Sequence, residues 1–264
     1  MNMQEWITIN GTRRLVVRRK LSNECRRCVV LLSGFSQSMC DKNYFMYRLG
    51  TDILPTDIEV IHYDPIAHGE SCFCLEDINL AAYRNDLRSL LCYIKERHGA
   101  IPIVVARGFA ASIIAGMPRI CDMLVGILPF YISDATKKHI SEVVENIKTD
   151  IIEFSDFNQT DLIFKNFIDA LGAHYNNLTG QLISKKFLTE MINLNLSYIS
   201  KKNYVCIAPD VENGFQSFSF CDYKKAIDIN TMPIKFNDDA KTIDNLIKII
   251  ISTLADIVRE DGQK

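Results

Sequence analysis

The chain has 264 residues, with 30 Lys and Arg residues against 32 Asp and Glu residues, and 48% of its residues are hydrophobic. This composition is typical of a globular protein that buries a large core without cross-links. The formal charge of −2 excludes a general nucleic-acid binder, whose affinity would need a basic surface. No stretch approaches the ~18 apolar residues of a membrane span, and residues 1–11 lack the apolar run of a secretion signal.

The number of cysteines indicates the cellular compartment in which the protein is expected. Nine cysteines without a secretion signal predict a cytoplasmic protein with free thiols, because disulfides persist mainly in oxidising compartments. Cys25 and Cys28 alone have the spacing of a redox or metal site, but no second cysteine or histidine pair accompanies them. The sequence therefore predicts no metal site and no cofactor.

The first half of the chain predicts strands that alternate with helices. Residues 6–9 and 15–17 indicate an opening hairpin, because the Asn10-Gly11 pair between them tolerates the positive backbone angles of a tight turn. Buried strands are predicted at residues 28–33, 58–63, 101–106 and 123–128, and helices at residues 43–53, 78–97 and 109–116. This alternation favours an α/β fold with a mostly parallel twisted sheet and helices on both faces.

Residues 129–202 interrupt the alternation. They form a long, polar, helix-leaning stretch with apolar clusters and no convincing strand, which predicts an inserted helical lid over the sheet. Strands resume at residues 204–208 and 226–229, and a terminal amphipathic helix follows from about Asp239. The predicted division is a core of residues 1–128 and 203–264 with a lid of residues 129–202.

Three segments at the ends of predicted strands carry a resemblance. They are residues 33–36 (SGFS), 64–71 (DPIAHGES) and 104–110 (VVARGFA). Together they resemble the α/β-hydrolase fold, and particularly its branch of monoacylglycerol lipases, thioesterases and serine aminopeptidases. The second segment is similar to that branch's Asp-x-x-Gly-His-Gly-x-Ser loop and departs from it only at Ala67. The resemblance is best over residues 28–128 and uninformative in the lid.

The resemblance implies a nucleophile elbow at residues 104–110, but its apex has no nucleophile. In that family a tight turn from strand to helix presents the nucleophile between small residues. Ala106 and Ala110 are the small residues here, and the apex is Gly108, which has no side chain to attack a substrate. The family's catalytic histidine would lie in the loop of residues 230–237, which contains none.

The acid position of the triad and the possible replacements for the nucleophile do not give a complete catalytic set. Asp210 or Glu212 could fill the acid position, although an acid without a base to orient has no catalytic use. Ser33, Ser36 or Cys40 could replace the nucleophile only if a lid histidine, His139 or His174, reached them. The favoured interpretation of these side chains is loop solvation, and His68 is predicted to be a structural hydrogen-bonding residue of its loop.

The elbow region also predicts a ligand site that needs no triad. Its residues are Phe35, Ser36, Arg107, Gly108 and Phe109. The backbone N–H groups of Phe35 and Phe109 would form an anion-binding nest of the oxyanion type. Arg107 could offer a cation to a carboxylate or phosphate ligand, or it could pair with a neighbouring acid.

The N-terminal segment is strongly basic. Its cations are Arg13, Arg14, Arg18, Arg19, Lys20, Arg26 and Arg27, with only Glu24 opposing them. The favoured interpretation is a solvated sheet edge whose charge prevents aggregation. The alternative is a docking patch for an acidic protein such as a carrier protein, with binding that weakens as salt rises.

Two functional hypotheses follow. The favoured one is a catalytically degenerate hydrolase-like protein, a pseudo-hydrolase, that binds a small acyl or carboxylate ligand or a protein partner. The alternative is an atypical hydrolase, thioesterase, acyltransferase or lyase that acts on an ester or thioester through a non-standard site. The first predicts no labelling by fluorophosphonate probes, whereas the second predicts turnover that depends on Ser36, Asp210 or a lid histidine.

Overall fold

The computed structural model describes residues 2–22, 25, 27–41, 44–54, 58–99, 102–117, 120–130, 132–157, 161–173, 178, 180–194, 204–208, 225–228 and 240–261. Asp210, Glu212, His174 and the segment 230–237, all named in the sequence analysis, lie outside these residues.

A mostly parallel sheet of eight strands forms the centre of the molecule. Its strands are β1 (Asn2–Ile9), β2 (Thr12–Arg19), β3 (Arg27–Leu32), β4 (Ile58–Tyr63), β5 (Ile103–Arg107), β6 (Met123–Ile127), β9 (Tyr204–Ala208) and β10 (Lys225–Asp228). Their order across the sheet is β1-β2-β4-β3-β5-β6-β9-β10. The β1–β2 and β2–β4 pairs are antiparallel and the others are parallel. The predicted sheet and the opening hairpin are confirmed.

Helices cover both faces of this sheet. They are α1 (Phe45–Ile53), α2 (Leu80–His98), α3 (Gly108–Ala115), α4 (Asp134–Asn146), α5 (Leu162–Ala170), α6 (Lys185–Ile192) and α7 (Ala240–Asp261). One apolar cluster joins α1 and α7 to the sheet, and a second joins α2, α3 and the inserted segment. The predicted end of α2 is confirmed, since Gly99 adopts a left-handed conformation and its N–H bonds to the carbonyl of Lys95.

The described chain between β6 and β9, which we call the inserted segment, contains two short strands that the sequence analysis did not predict. These are β7 (Ile151–Glu153) and β8 (Leu182–Ser184), which pair antiparallel. Ile152 and Ile183 face each other in this pair, and both are buried. The prediction that the segment has no strand was therefore wrong. A strand of three residues is too short to show an alternating pattern, and its partner lies far along the chain.

The basic hairpin is less exposed than the sequence indicated. Along β2 the side chains of Arg14, Val16 and Arg18, which share one face of the sheet, are buried, and so is Arg19. Arg14 pairs there with Asp86 at 3.1 Å, and Arg18 with Glu59 at 2.6 Å. The interpretation of a fully solvated edge is wrong for these two arginines.

None of the helices within the described ranges has both the length and the apolarity needed to cross a membrane. The eight cysteines of the described part are free thiols. The same part holds no cluster of potential metal-ligating side chains.

Candidate functional site

The elbow turn lies between β5 and α3, and its apex has no room for a side chain. Gly108 has a φ of +57°, a left-handed conformation that glycine adopts without strain. A Cβ atom on Gly108 would lie 2.3 Å from the carbonyl oxygen of Leu171 and 2.7 Å from the amide nitrogen of Gly172. The space that a nucleophile would occupy is therefore filled by the backbone of the inserted segment.

The two predicted amides of the anion nest converge on one oxygen. The N–H groups of Phe35 and Phe109 both donate to the carbonyl of Leu171, each at 3.1 Å. Two backbone donors aimed at a single oxygen give the arrangement of an oxyanion hole. Here the bound oxygen belongs to the residue that follows α5, so the protein's own main chain occupies the nest.

Three glycines allow this close approach. Gly172 has a φ of +75°, and a Cβ atom on it would lie 3.1 Å from the Cα atom of Gly34 and 3.2 Å from that of Gly108. A Cβ atom on Gly34 would lie 2.1 Å from the carbonyl oxygen of Gly172. We call this contact between Gly34, Gly108 and Gly172 the glycine contact. It exists only because none of the three residues carries a side chain.

Arg107 forms an ion pair and also binds the inserted segment. Its Nε donates to Asp41 Oδ2 at 2.7 Å, and its Nη2 bonds to the other carboxylate oxygen. The same Nη2 donates to the carbonyl oxygen of Gly172 at 2.7 Å. Both side chains are buried. Of the two predicted roles for Arg107, pairing with a neighbouring acid is the one present in the structure.

Aromatic rings fill the interior beside the elbow. The ring of Phe109 lies 5.6 Å from that of Phe35, 5.7 Å from that of Phe130 and 6.3 Å from that of Phe187. Phe187 comes from α6 of the inserted segment and is fully buried. Edge-to-face contacts of this kind stabilise the packing beyond simple burial. The inserted segment is thus attached to the core by side chains as well as by its backbone.

The structure describes all three candidate replacement nucleophiles, Ser33, Ser36 and Cys40. Ser36 Oγ donates to Gln181 Oε1 of the inserted segment at 2.7 Å. Burial and the charge of Asp64 raise the pKa of Cys40, which keeps this thiol protonated. Ser33 is buried, and its hydroxyl has no hydrogen-bond partner among the described residues.

His139 of the inserted segment and His68 both bond to groups other than the candidate nucleophiles. His139 Nε2 lies 2.6 Å from Asp161 Oδ2 at the start of α5, where the carboxylate also caps the helix. His68 Nδ1 bonds to the carbonyl of Ile66 at 2.8 Å, and burial lowers the pKa of this histidine to about 4. The neutral ring lies edge-on to Phe35. This agrees with the structural role that the sequence predicts for His68.

Sequence reasoning missed the residues that close the site, namely Leu171, Gly172, Asp41 and Gln181. The one sequence signal was a Leu-Gly pair after an apolar helical pattern, which is typical of a helix end. That signal does not indicate which part of the sheet the helix end approaches.

No protein-family model and no curated protein matches the chain. Solved structures do match it, over nearly the whole length of both chains. DcsB in complex with its substrate analogue is 12% identical, with a TM-score of 0.69 and coverage of 98% of this chain and 99% of that one. Est1E from Butyrivibrio proteoclasticus with bound ferulic acid is 12% identical, with a TM-score of 0.67 and coverage of 98% and 100%.

A soluble variant of monoglyceride lipase from Saccharomyces cerevisiae, bound to a substrate analog, is also 12% identical. Its TM-score is 0.64, and the match covers 96% of this chain and 94% of the lipase. At such low identity these matches establish the fold alone. The chain has the α/β-hydrolase fold, which confirms the fold that the sequence resemblance predicts.

Proposed function

We propose that this α/β-hydrolase-fold protein is a pseudo-hydrolase, which does not hydrolyse esters and acts by binding a protein partner. The observation that carries the proposal is the carbonyl oxygen of Leu171, which accepts hydrogen bonds from the N–H groups of both Phe35 and Phe109. In a serine hydrolase, donors placed in this way stabilise the oxyanion of the transition state. Here a substrate would have to displace the protein's own backbone to reach them.

The residues at the nucleophile and histidine positions also support the proposal that the protein does not hydrolyse esters. Gly108 supplies no nucleophile, and residues 230–237 contain no histidine. In serine hydrolases that lack a triad member, binding and oxyanion stabilisation leave only about 10³–10⁴ of acceleration over water. With the oxyanion donors already engaged, even this residual contribution is reduced.

A small acyl or carboxylate ligand is the second candidate. The nest of Phe35 and Phe109 is formed and binds an oxygen atom, so a carboxylate oxygen could take the place of the Leu171 carbonyl. Arg107, released from the Gly172 carbonyl but still paired with Asp41, would then offer a guanidinium N–H beside Gly108. Such a ligand must move the turn after α5, whereas a protein partner bound at the surface need not.

The acidic-partner hypothesis depends on the cations that remain at the surface. Arg13 is exposed, with its guanidinium 5.1 Å from the centre of the Trp6 ring. Arg14 and Arg18 cannot contribute in the same way, because both are buried in ion pairs. A cytoplasmic location, expected from the cysteine usage, belongs to this proposal.

Fluorophosphonate labelling and the hydrolysis of p-nitrophenyl butyrate test the absence of catalysis. We expect no covalent adduct by mass spectrometry and no burst of nitrophenol, because no activated hydroxyl among the residues that the structure describes faces the oxyanion donors. Stoichiometric labelling that disappears in Ser36→Ala and persists in Ser38→Ala would overturn the proposal in favour of an atypical enzyme. Ser38 is the matched control because it lies on the same loop and is exposed.

Thermal melting with butyrate and octanoate separates the two binding hypotheses. A ligand that binds the folded protein raises its melting temperature in a saturable way. We expect no saturable rise, because the nest is already occupied. A saturable rise that is lost in Arg107→Gln, with sodium chloride as the ionic-strength control, would replace the partner hypothesis by the carboxylate-ligand hypothesis.

A further inference from the structure

The free edge of β1 is long, regular and poor in charge. β1 is the terminal strand of the sheet and pairs with β2 without a bulge, from Asn2 opposite Arg19 to Ile9 opposite Thr12. Its eight residues include no Lys, Arg or Pro, and Glu5 is the one charged residue. In the described part of the chain no strand pairs with its outer side. Proteins usually protect such edges with charges, prolines or bulges, because an open edge recruits another strand.

The hairpin geometry identifies the backbone groups at this edge. A two-residue turn, Asn10 and Gly11 with φ values of 50° and 77°, makes Ile9 and Thr12 a hydrogen-bonded pair. The odd-numbered residues of β1 therefore bond to β2. The N–H and C=O groups of the even-numbered residues Gln4, Trp6 and Thr8 point away from the sheet and are available to a further strand.

The side chains of these three residues are exposed as well. Trp6, which is the sole tryptophan of the chain, is 51% exposed, and Gln4 and Thr8 are also exposed. Glu5 faces the opposite side of the sheet, where it bonds to Tyr93 and Arg97 of α2. An added strand would thus meet neutral polar side chains and one large aromatic ring, over which the guanidinium of Arg13 lies at 5.1 Å from the ring centre.

We propose that β1 pairs antiparallel with β1 of a second copy of this chain, with the two Trp6 residues opposite each other on a two-fold axis. In this register Gln4 of each copy lies opposite Thr8 of the other. Because Trp6 is also opposite Leu15 on β2, one apolar row of Leu15, Trp6, Trp6 and Leu15 crosses the four adjoining strands. Aromatic and aliphatic cross-strand pairs of this kind stabilise a sheet.

A second copy fits this edge because the strand is complementary to itself. In this register Glu5 of each copy lies opposite Ile7 of the other, so no like charges oppose one another. An isologous contact of this type closes as a dimer and leaves the β1 edge of neither copy open. The two central sheets then become one continuous sheet.

Two measurements on the full chain test whether the dimer forms. Light scattering across micromolar concentrations should show the mass doubling as concentration rises. Trp6 fluorescence should shift to shorter wavelength over the same range, since this sole tryptophan becomes buried at the axis. A constant monomer mass, or dimerisation with an unchanged emission wavelength, would overturn the proposal.

A pair of double variants tests the register. Gln4→Lys/Thr8→Lys sets like charges opposite each other at both outer pairs, and it should raise the dimer dissociation constant about tenfold or more. Gln4→Glu/Thr8→Lys carries the same lysine but sets opposite charges together, and it should dimerise at least as well as the wild type. Equal dissociation constants for the two variants, with unchanged melting temperatures, would refute the pairing.

Discussion

Replacement of Gly34 by alanine tests how closely the inserted segment lies against the elbow. Gly34 does not have a left-handed backbone conformation, so a side chain at this position adds no backbone strain. The new Cβ atom would lie 2.1 Å from the carbonyl oxygen of Gly172 and 3.0 Å from Nη2 of Arg107. The Gly34→Ala substitution therefore forces the turn after α5 away from the elbow.

The expected cost follows from the contacts that are lost. Excess volume in a well-packed interior costs about 1–3 kcal/mol. Displacing the Gly172 carbonyl also weakens its hydrogen bond to the charged Arg107, and such bonds contribute about 1.5–3 kcal/mol. Together these effects lower the free energy of unfolding by about 2.5–6 kcal/mol. At about 2 °C per kcal/mol for a chain of this size, the melting temperature falls by about 5–12 °C.

Differential scanning calorimetry of Gly34→Ala and Gly116→Ala provides the comparison. Gly116 ends α3 with a φ of −77°, and a Cβ atom on it would lie 3.6 Å from the carbonyl oxygens of Ile113 and Ser112, which is an ordinary contact distance. Alanine should therefore change stability there by less than about 1 kcal/mol. Equal melting temperatures for the two variants would refute the close seating of the inserted segment, and with it the occupied anion nest.

Two further predictions concern the elbow and its neighbouring loop. The Gly108→Ala substitution should lower the free energy of unfolding by about 2 kcal/mol more than Gly99→Ala does. Both residues have positive φ, but only a side chain at position 108 would meet backbone atoms of Leu171. Urea denaturation measures the difference, and equal losses of stability would contradict the prediction. The pKa of His68 is about 4, so between pH 6.5 and 4 the unfolded chain takes up a proton there that the folded chain does not. The free energy of unfolding therefore falls by about 3 kcal/mol as pH falls through this window, and the His68→Phe substitution should remove that loss. If the free energies of unfolding of the two proteins ran parallel across this pH range, the prediction would be refuted.

The fold could be predicted because its signals are local. Short apolar runs bounded by polar residues mark β3 and β5, whose residues are almost entirely buried. The Asn10-Gly11 pair marks the hairpin, and Gly99 marks the end of α2. Each of these features depends on residues within a few positions of one another, so a single sequence contains the necessary information.

The closure of the site could not be predicted in the same way. The backbone carbonyl of Leu171 has no side-chain signature, and it meets Phe35 and Phe109 from a distant part of the chain. The sequence identifies a glycine at position 108 but not the backbone atoms of Leu171 and Gly172 that approach it. The partner of Arg107 was equally hidden, because Asp41 is one of many acids and only the folded loop brings it near.

The glycine contact limits how hydrolysis could be engineered into this protein. A designer who adds a hydroxyl at position 108 and an imidazole nearby still has main chain in the way, and a point substitution cannot remove main-chain atoms. The productive first change is to shorten or redirect the turn at Gly172, so that an empty cleft exists before any reactive group is installed. The addition of a reactive side chain is in this respect a smaller change than the backbone rearrangement that must precede it.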